Sequence, residues 1–321
     1  MVAPITMDDV YSADKTIRPI ANHTPLLPSA YFSKLTGANI YLKLECFQPT
    51  RVFKVRGATN KILNTPPEKT IVTASSGNHG FAISFVSNRL GRKAIVCVPK
   101  NANPDKVKAI QQYGAEVVSV GSRYEEAFEE ALRIQKTTGA ILAHAYEDPF
   151  VMAGQATIGL EILGDMPDID TILVPIGGGG LISGIAYAVK HLKKEIKVIG
   201  VQPASAPSTA EALRVGRPVP VTLKPTVADG LILGTASSIT FEVVREYVED
   251  VVLVTEPQIE NALFQLLSND HVLSEPSGCA TIAAIMNSYK PKPKEKVAVV
   301  ISGGNISIDY LTTMLAKLKR G

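Results

Sequence analysis

The feature that most constrains this chain is a repeated change of hydrophobic period, in which short β-branched runs alternate with longer amphipathic stretches and several runs end in small-residue turns. Residues 69–74 read as a strand, 81–90 as a helix and 93–98 as the next strand, which makes a βαβ unit. Helices at 105–113 and 124–138 and strands at 116–120 and 140–144 extend it, so four strands with crossover helices occupy about 70–147. A second series follows, with helices at 153–163, 181–192, 258–267 and 278–289 and strands at 171–176, 196–201, 250–254 and 296–301. Such alternation predicts α/β structure with two doubly wound open-sheet domains, and ligands in the crevice beyond the carboxyl ends of the strands. The first 50 residues and the Pro- and Ala-rich stretch 202–226 give no clear period.

At 321 residues, with 45% hydrophobic and 20% charged side chains, the chain can bury a substantial core and is neither disordered nor fibrous. Its net charge of +3 is spread without a basic face or tail, which argues against nucleic acid as a partner. Three distant cysteines, Cys46, Cys97 and Cys279, suit neither a disulfide framework nor a zinc knuckle. With Asp8, Asp9 and Asp14 where an export signal would need a basic start, the expectation is a cytoplasmic protein. The uncharged run 171–189 approaches a bilayer-spanning length, but Pro175 and the glycines at 177–180 interrupt it, so strand, loop and helix are expected and no membrane partner.

Chemistry is sought where predicted strands end in turns. In Ser75-Ser76-Gly77-Asn78-His79-Gly80, two glycines allow close backbone approach, and the following helix N-terminus favours an anion such as a carboxylate. An ordinary capped turn is the alternative. Gly177, Gly178, Gly179 and Gly180, followed by Leu181, carry a large ordering cost that a bare turn would not need, whereas a backbone nest for a phosphate would. Ile182 breaks the dinucleotide GxGxxG pattern, and Ile185 stands where a P-loop would carry lysine after Gly184. Ser302 in Ser302-Gly-Gly-Asn305 can present a hydroxyl, and Glu275 precedes a helix start, where it can simply be a favourable charge. Lys54, flanked by Phe53 and Val55, is a candidate for burial and a lowered pKa, as a Schiff-base lysine requires.

A phosphate nest, a carboxylate site, a semi-buried lysine and a hydroxyl together describe a site for pyridoxal 5′-phosphate with an amino acid. Phe53-Lys-Val-Arg-Gly-Ala58, Ser75-Ser-Gly-Asn-His-Gly80, Gly177–Gly180 and Ser302-Gly-Gly-Asn305, in this order, resemble the serine racemase and threonine dehydratase family. The likeness also takes in His144-Ala-Tyr-Glu-Asp-Pro149, Gly154-Gln-Ala-Thr157, Ala228-Asp-Gly230 and Glu275-Pro-Ser-Gly278. It implies the fold-type II pyridoxal-phosphate architecture, with a small carboxylate-binding domain at 70–147 inserted into a large cofactor domain formed by 1–69 and 148–321.

The resemblance further implies that Lys54 holds the cofactor and removes the Cα proton, and that Ser76 is the hydroxyl on the opposite face. It puts Phe53 beside the ring, Asn78 at the ring hydroxyl, Ser302 at the ring nitrogen, Gly177–Gly180 and Leu181 at the phosphate and Ser75–His79 at the substrate carboxylate, with Glu275 counted among the cofactor contacts. A neutral Ser302 would not hold the ring nitrogen protonated as an aspartate would, which favours β-elimination over transamination. Four departures stand out. Arg51-Val52 replaces a small pair, and Ala156 replaces a glycine. Gln202 and Ser208 replace the acids of a divalent-cation site, so no metal is expected there. The chain also stops at Gly321, where biosynthetic threonine dehydratases continue into a regulatory domain.

The expected activity is dehydration of L-threonine and L-serine to a 2-oxo acid and ammonia by a homodimer. Serine racemase, alone or as a second activity, is the alternative, followed by a 3-hydroxyaspartate dehydratase using Arg51, and by a two-domain amino-acid-binding protein.

Overall fold

The computed structural model describes residues 4–318. The N-terminal segment, without a clear period in sequence, forms α1 (Met7–Ile17), β1 (Leu26–Pro28), α2 (Ala30–Thr36) and β2 (Asn39–Leu44). These are short elements fixed by their ends: Thr6 and Asp9 make a reciprocal capping box on α1, while Ser29 caps α2 and Gly37 ends it in the left-handed region. Next come α3 (Lys54–Leu63), β3 (Ile71–Ala74), α4 (Asn78–Arg89), β4 (Ala94–Val98) and α5 (Pro104–Gln112). They lead into β5 (Glu116–Ser119), α6 (Tyr124–Thr138) and β6 (Ile141–Leu142).

The second series contains α7 (Pro149–Asp165), β7 (Thr171–Pro175), α8 (Gly180–Leu192), β8 (Lys197–Pro203) and α9 (Ser208–Val215). It continues through α10 (Ser238–Tyr247), β9 (Asp250–Val254), α11 (Glu256–Asn269), α12 (Ala280–Asn287), β10 (Lys296–Ile301) and α13 (Ile308–Leu318). The uncharged run at 171–189 is thus strand, loop and helix, and no helix among the described residues is long and apolar enough to cross a membrane.

Two open sheets result. One has the strand order β1-β2-β10-β7-β8-β9 and is parallel apart from the β1–β2 pair; the other, β5-β4-β3-β6, is wholly parallel. Strands buried on both faces read as continuous apolar runs, and β10 shows why. Val297, Val299 and Ile301 enter the core under α11 and α12, while Ala298 and Val300 enter the opposite core with Ile182 and Ile185 of α8. The predicted strand at 140–144 shortens to β6 because the Ala143 carbonyl accepts from the Thr73 hydroxyl at 2.8 Å and bonds the His79 ring at 2.9 Å, as the chain turns away. The predicted helix at 278–289 begins only at Ala280, after a turn in which Gly278 and Cys279 donate to the Glu275 carbonyl.

Helix α3 joins the two halves. Val55, Ala58 and Ile62 close the core of the four-stranded sheet with Ala82, Ile83 and Val86 of α4. On its other side it meets α7 at a glycine crossing, where a Cβ on Gly154 would lie 2.7 Å from the Gly57 Cα and 2.8 Å from the Arg56 carbonyl oxygen. Gly154→Ala therefore forces the helices apart, and an overpacking cost of about 1–3 kcal/mol is expected. Chemical denaturation measures it, and wild-type stability would show that the crossing yields freely.

Candidate active site

The carboxyl ends of β3 and β7 deliver their turns to one crevice between the sheets, about 460 Å³ in volume and within the ordinary size of small-molecule sites. Phe53, Lys54, Ser75, Ser76, Gly77, Asn78, His79, Gly177–Gly180, Leu181, Glu275 and Ser302, separated by up to some 250 positions in sequence, all line it.

At the end of β7 the four glycines are required by space, and Gly179 by conformation as well. Gly179 has φ +85°, and a Cβ on Gly178 would fall 2.1 Å from the Tyr146 ring. The Thr240 hydroxyl donates to the Gly178 carbonyl at 2.9 Å and holds the loop. No side chain caps α8, so its first N–H groups are left for an anion. The same holds for α4, which starts at Gly77 without a side-chain cap, whereas α1, α2, α5, α7 and α10 are each capped by a Ser, Thr, Asn or Asp. Ser75 accepts from the Gly77 N–H at 3.2 Å and shapes the turn. The His79 ring is buried, bonds the Ala143 carbonyl, and is held neutral by burial and by Lys54, its pKa pushed down to about 3. His79 is thus left with its backbone N–H for an anion.

Lys54 is the first residue of α3. Its Nζ donates to the Ala145 carbonyl at 2.9 Å and stands 5.1 Å from the Phe53 ring centroid. Burial lowers the ammonium pKa to about 8. The Asn78 amide is fixed from both sides: its nitrogen donates to Glu275 at 2.8 Å and its oxygen accepts from Asn305 at 2.8 Å. Burial, then the charge of Asp229, pushes the Glu275 carboxyl up to about 8 against the Asn78 hydrogen bond. At the mouth, Lys106 of α5 pairs with Asp229 at 2.5 Å.

Arg51 is exposed, has φ +60° and does not line the crevice. The Gln202 amide oxygen accepts from the Thr209 and Ala210 N–H groups, both at 3.0 Å, so it serves the start of α9. Sequence reasoning gave no role to Tyr146, although its motif was noted, nor to Lys106, Asp229, Thr240 and Asn305. Asp229 and Asn305 lie within the motifs Ala228-Asp-Gly230 and Ser302-Gly-Gly-Asn305, whereas Lys106 and Thr240 belong to no motif.

Two uncapped helix starts and a shielded amine in one crevice define an enzyme built to hold a phosphorylated aldehyde together with an amino acid. The chain belongs to the pyridoxal-phosphate dependent enzyme family, whose model matches residues 17–303. It is 42% identical over 98% of its length to an L-threonine ammonia-lyase of Thermotoga maritima, covering 79% of that protein. An L-threonine ammonia-lyase of Geobacter sulfurreducens is 40% identical over 96% of this chain and 77% of its own. Maize serine racemase superposes with a TM-score of 0.93 at 33% identity, covering 99% of this chain and 98% of the racemase.

The lowered Lys54 pKa gives a pH signature to the reading, proposed below, in which Lys54 captures the cofactor, because only a neutral amine attacks an aldehyde carbon. Capture of pyridoxal phosphate by cofactor-free protein should accelerate with pH and level off above about 8. Stopped-flow absorbance measures it, and a rate still climbing at pH 10 would mean a fully solvated lysine.

Proposed function

We propose that this enzyme dehydrates L-threonine and L-serine to the 2-oxo acid and ammonia. The observation that carries the reading is the shielded Lys54 amine in the same crevice as the uncapped starts of α4 and α8. The threonine ammonia-lyases at 40–42% identity support the substrate class. Gly177–Gly180, Leu181 and the start of α8 would take the cofactor phosphate, Phe53 would flank the ring, and Asn78 and Ser302 would meet the ring hydroxyl and nitrogen. Glu275 would act behind Asn78. The start of α4, with Ser75, Ser76, Gly77, Asn78 and His79, would take the substrate carboxylate. In this reading the unit at 70–147 binds the carboxylate, while 1–69 and 148–321 form the cofactor unit.

When bound, pyridoxal phosphate supplies a conjugated electron acceptor that makes the substrate's Cα proton removable and its β-hydroxyl a leaving group. Lys54 Nζ takes the Cα proton on its face of the crevice, with an amine pKa already moved toward the working range by burial. Ser76 is the hydroxyl for the other face, which allows serine racemisation as a second activity, in keeping with the maize neighbour.

A hydroxyaspartate substrate is disfavoured. Arg51 lies outside the crevice, and Lys106, the lining cation besides Lys54, is already paired with Asp229. The reading carries a homodimer in a cytoplasmic setting, in keeping with three unpaired, buried cysteines.

Borohydride reduction and peptide mapping should place the pyridoxyl label on Lys54, and Lys54→Ala should lose turnover with cofactor still bound. A label on another lysine would refute the assignment. Ser76→Ala should depress racemisation and D-serine dehydration far more than L-threonine dehydration, as followed by 2-oxo acid formation and chiral chromatography. Equal losses in all three would leave Ser76 a loop-shaping role only.

A further inference from the structure

Behind α3, on the side away from the crevice, lies a buried cluster of two cations and two carboxylates that the proposed chemistry does not use. Arg56, Lys43 and Glu45 are fully buried and Glu161 is 7% exposed. The Arg56 guanidinium donates to Glu45 through Nε and Nη2, both at 2.8 Å, and to Glu161 through Nη1 at 2.7 Å and Nη2 at 2.8 Å. Nη1 also donates to the Thr157 hydroxyl at 3.1 Å, and Nη2 shares its hydrogens with the Asn22 carbonyl at 3.1 Å. Lys43 donates to Glu161 at 2.6 Å and to the Thr24 carbonyl at 2.7 Å, while Thr24 and Gln48 donate to Glu45 at 2.5 Å and 3.1 Å. Asp165, 31% exposed, approaches Lys43 at 3.8 Å from the outer edge of the cluster, and every guanidinium N–H has a partner.

The partners come from four places: the segment between α1 and β1, the end of β2, the turn that follows it, and α7. Arg56 stands two residues after Lys54, about 200° round the helix at 3.6 residues per turn, so the two side chains leave α3 on opposite sides. A planar fork held bidentately by two carboxylates fixes orientation in a way that a compact ammonium does not. Gly57 and Gly154 set the depth at which α3 sits on α7, while the apolar packing of Val55, Ala58 and Ile62, the Asn60 bond to the Phe150 carbonyl and the Lys61–Asp148 pair hold the helix with less directional contacts than a bidentate fork.

We infer that Arg56, gripped by Glu45 and Glu161, is a positioning residue for the reaction: it sets the rotation of α3 and thereby aims Lys54 Nζ into the crevice. The inference rests on Lys54 as the cofactor lysine, and the label-mapping experiment on the wild-type enzyme tests that premise separately. A cluster that served stability alone would have no reason to act on Lys54 more than on any other core residue.

The test compares Arg56→Lys, which keeps the charge and loses the fork, with Phe32→Leu, which perturbs the fully buried Phe32 of α2 in a different core from Val55, Ala58 and Ile62 of α3. Should Arg56→Lys fail to fold, Glu45→Gln takes its place, since it loses one carboxylate at unchanged size. Three readouts are taken well below the melting temperature: thermal midpoint, pyridoxal-phosphate Kd and capture rate from absorbance, and kcat and KM for L-threonine. Arg56→Lys, or Glu45→Gln, should weaken cofactor affinity at least tenfold and slow capture at least tenfold, and should lower kcat with little change in KM. Phe32→Leu should lower the midpoint while leaving capture and kcat at wild-type values. Wild-type capture and kcat in the cluster variant, or equal losses in Phe32→Leu at a matched midpoint, would overturn the inference.

Discussion

The structure turns on where α3 sits. This helix carries Lys54 at its start, covers one face of the four-stranded sheet with Val55, Ala58 and Ile62, and crosses α7 at Gly57. Its depth is set by a glycine contact with no room for a methyl group. The Arg56 cluster fixes it to the turn after β2 and to α7. Such clusters are poor sources of net stability, because desolvating four charges offsets most of their attraction, yet removing one member costs about 3–5 kcal/mol. Burial, which alone would lower it, is outweighed by the Glu45 and Glu161 carboxylates, which raise the Arg56 pKa. What the cluster provides is a single arrangement, since any other rotation of α3 would bury charges without partners.

The electrostatics of the crevice follow from the fold around it. Lys54 meets no carboxylate there, so burial dominates and the amine becomes easier to deprotonate. Glu275 is shifted in the opposite sense by burial and by Asp229, which push its carboxyl up to about 8, well above the ordinary carboxylate range. Lys106 and Asp229 are 44% and 55% exposed, which limits their pair to ~0–1 kcal/mol; it balances charge at the mouth and fastens the lobes only weakly. The crevice thereby offers one adjustable amine and two helix starts for two anionic groups.

Much of the fold was legible because its strands are buried on both faces. Runs such as 296–301 and 171–176 announce themselves without context, and the glycines behind 171–176 mark a strand end that must admit a ligand. The N-terminal segment was not legible, because α1 buries only Val10, Ala13 and Ile17 and is defined by its capping box more than by a stripe. The stretch after Pro203 hid α9 because its start is organised by Gln202, a side chain from the preceding strand. Tyr146 and Thr240 brace the glycine loop from distant segments; Tyr146 lies in the motif at 144–149 but nothing local ties it to the loop, and no local pattern marks Thr240.

Sequence alone determined the alternation of helices with the parallel strands, the small-residue turns at the strand ends, and the lysine whose apolar flanks forecast its shielding, because periodicity and the needs of backbone conformation are local properties. Tertiary structure decided which donors remain free. His79 spends its ring on Ala143, Gln202 spends its amide on α9, Arg51 turns to solvent, and Asn78 is locked between Glu275 and Asn305. A side chain's chemistry is written in its identity, but whether that chemistry faces a substrate depends on partners contributed by other segments of the chain, and those are set only when the two sheets close on one another.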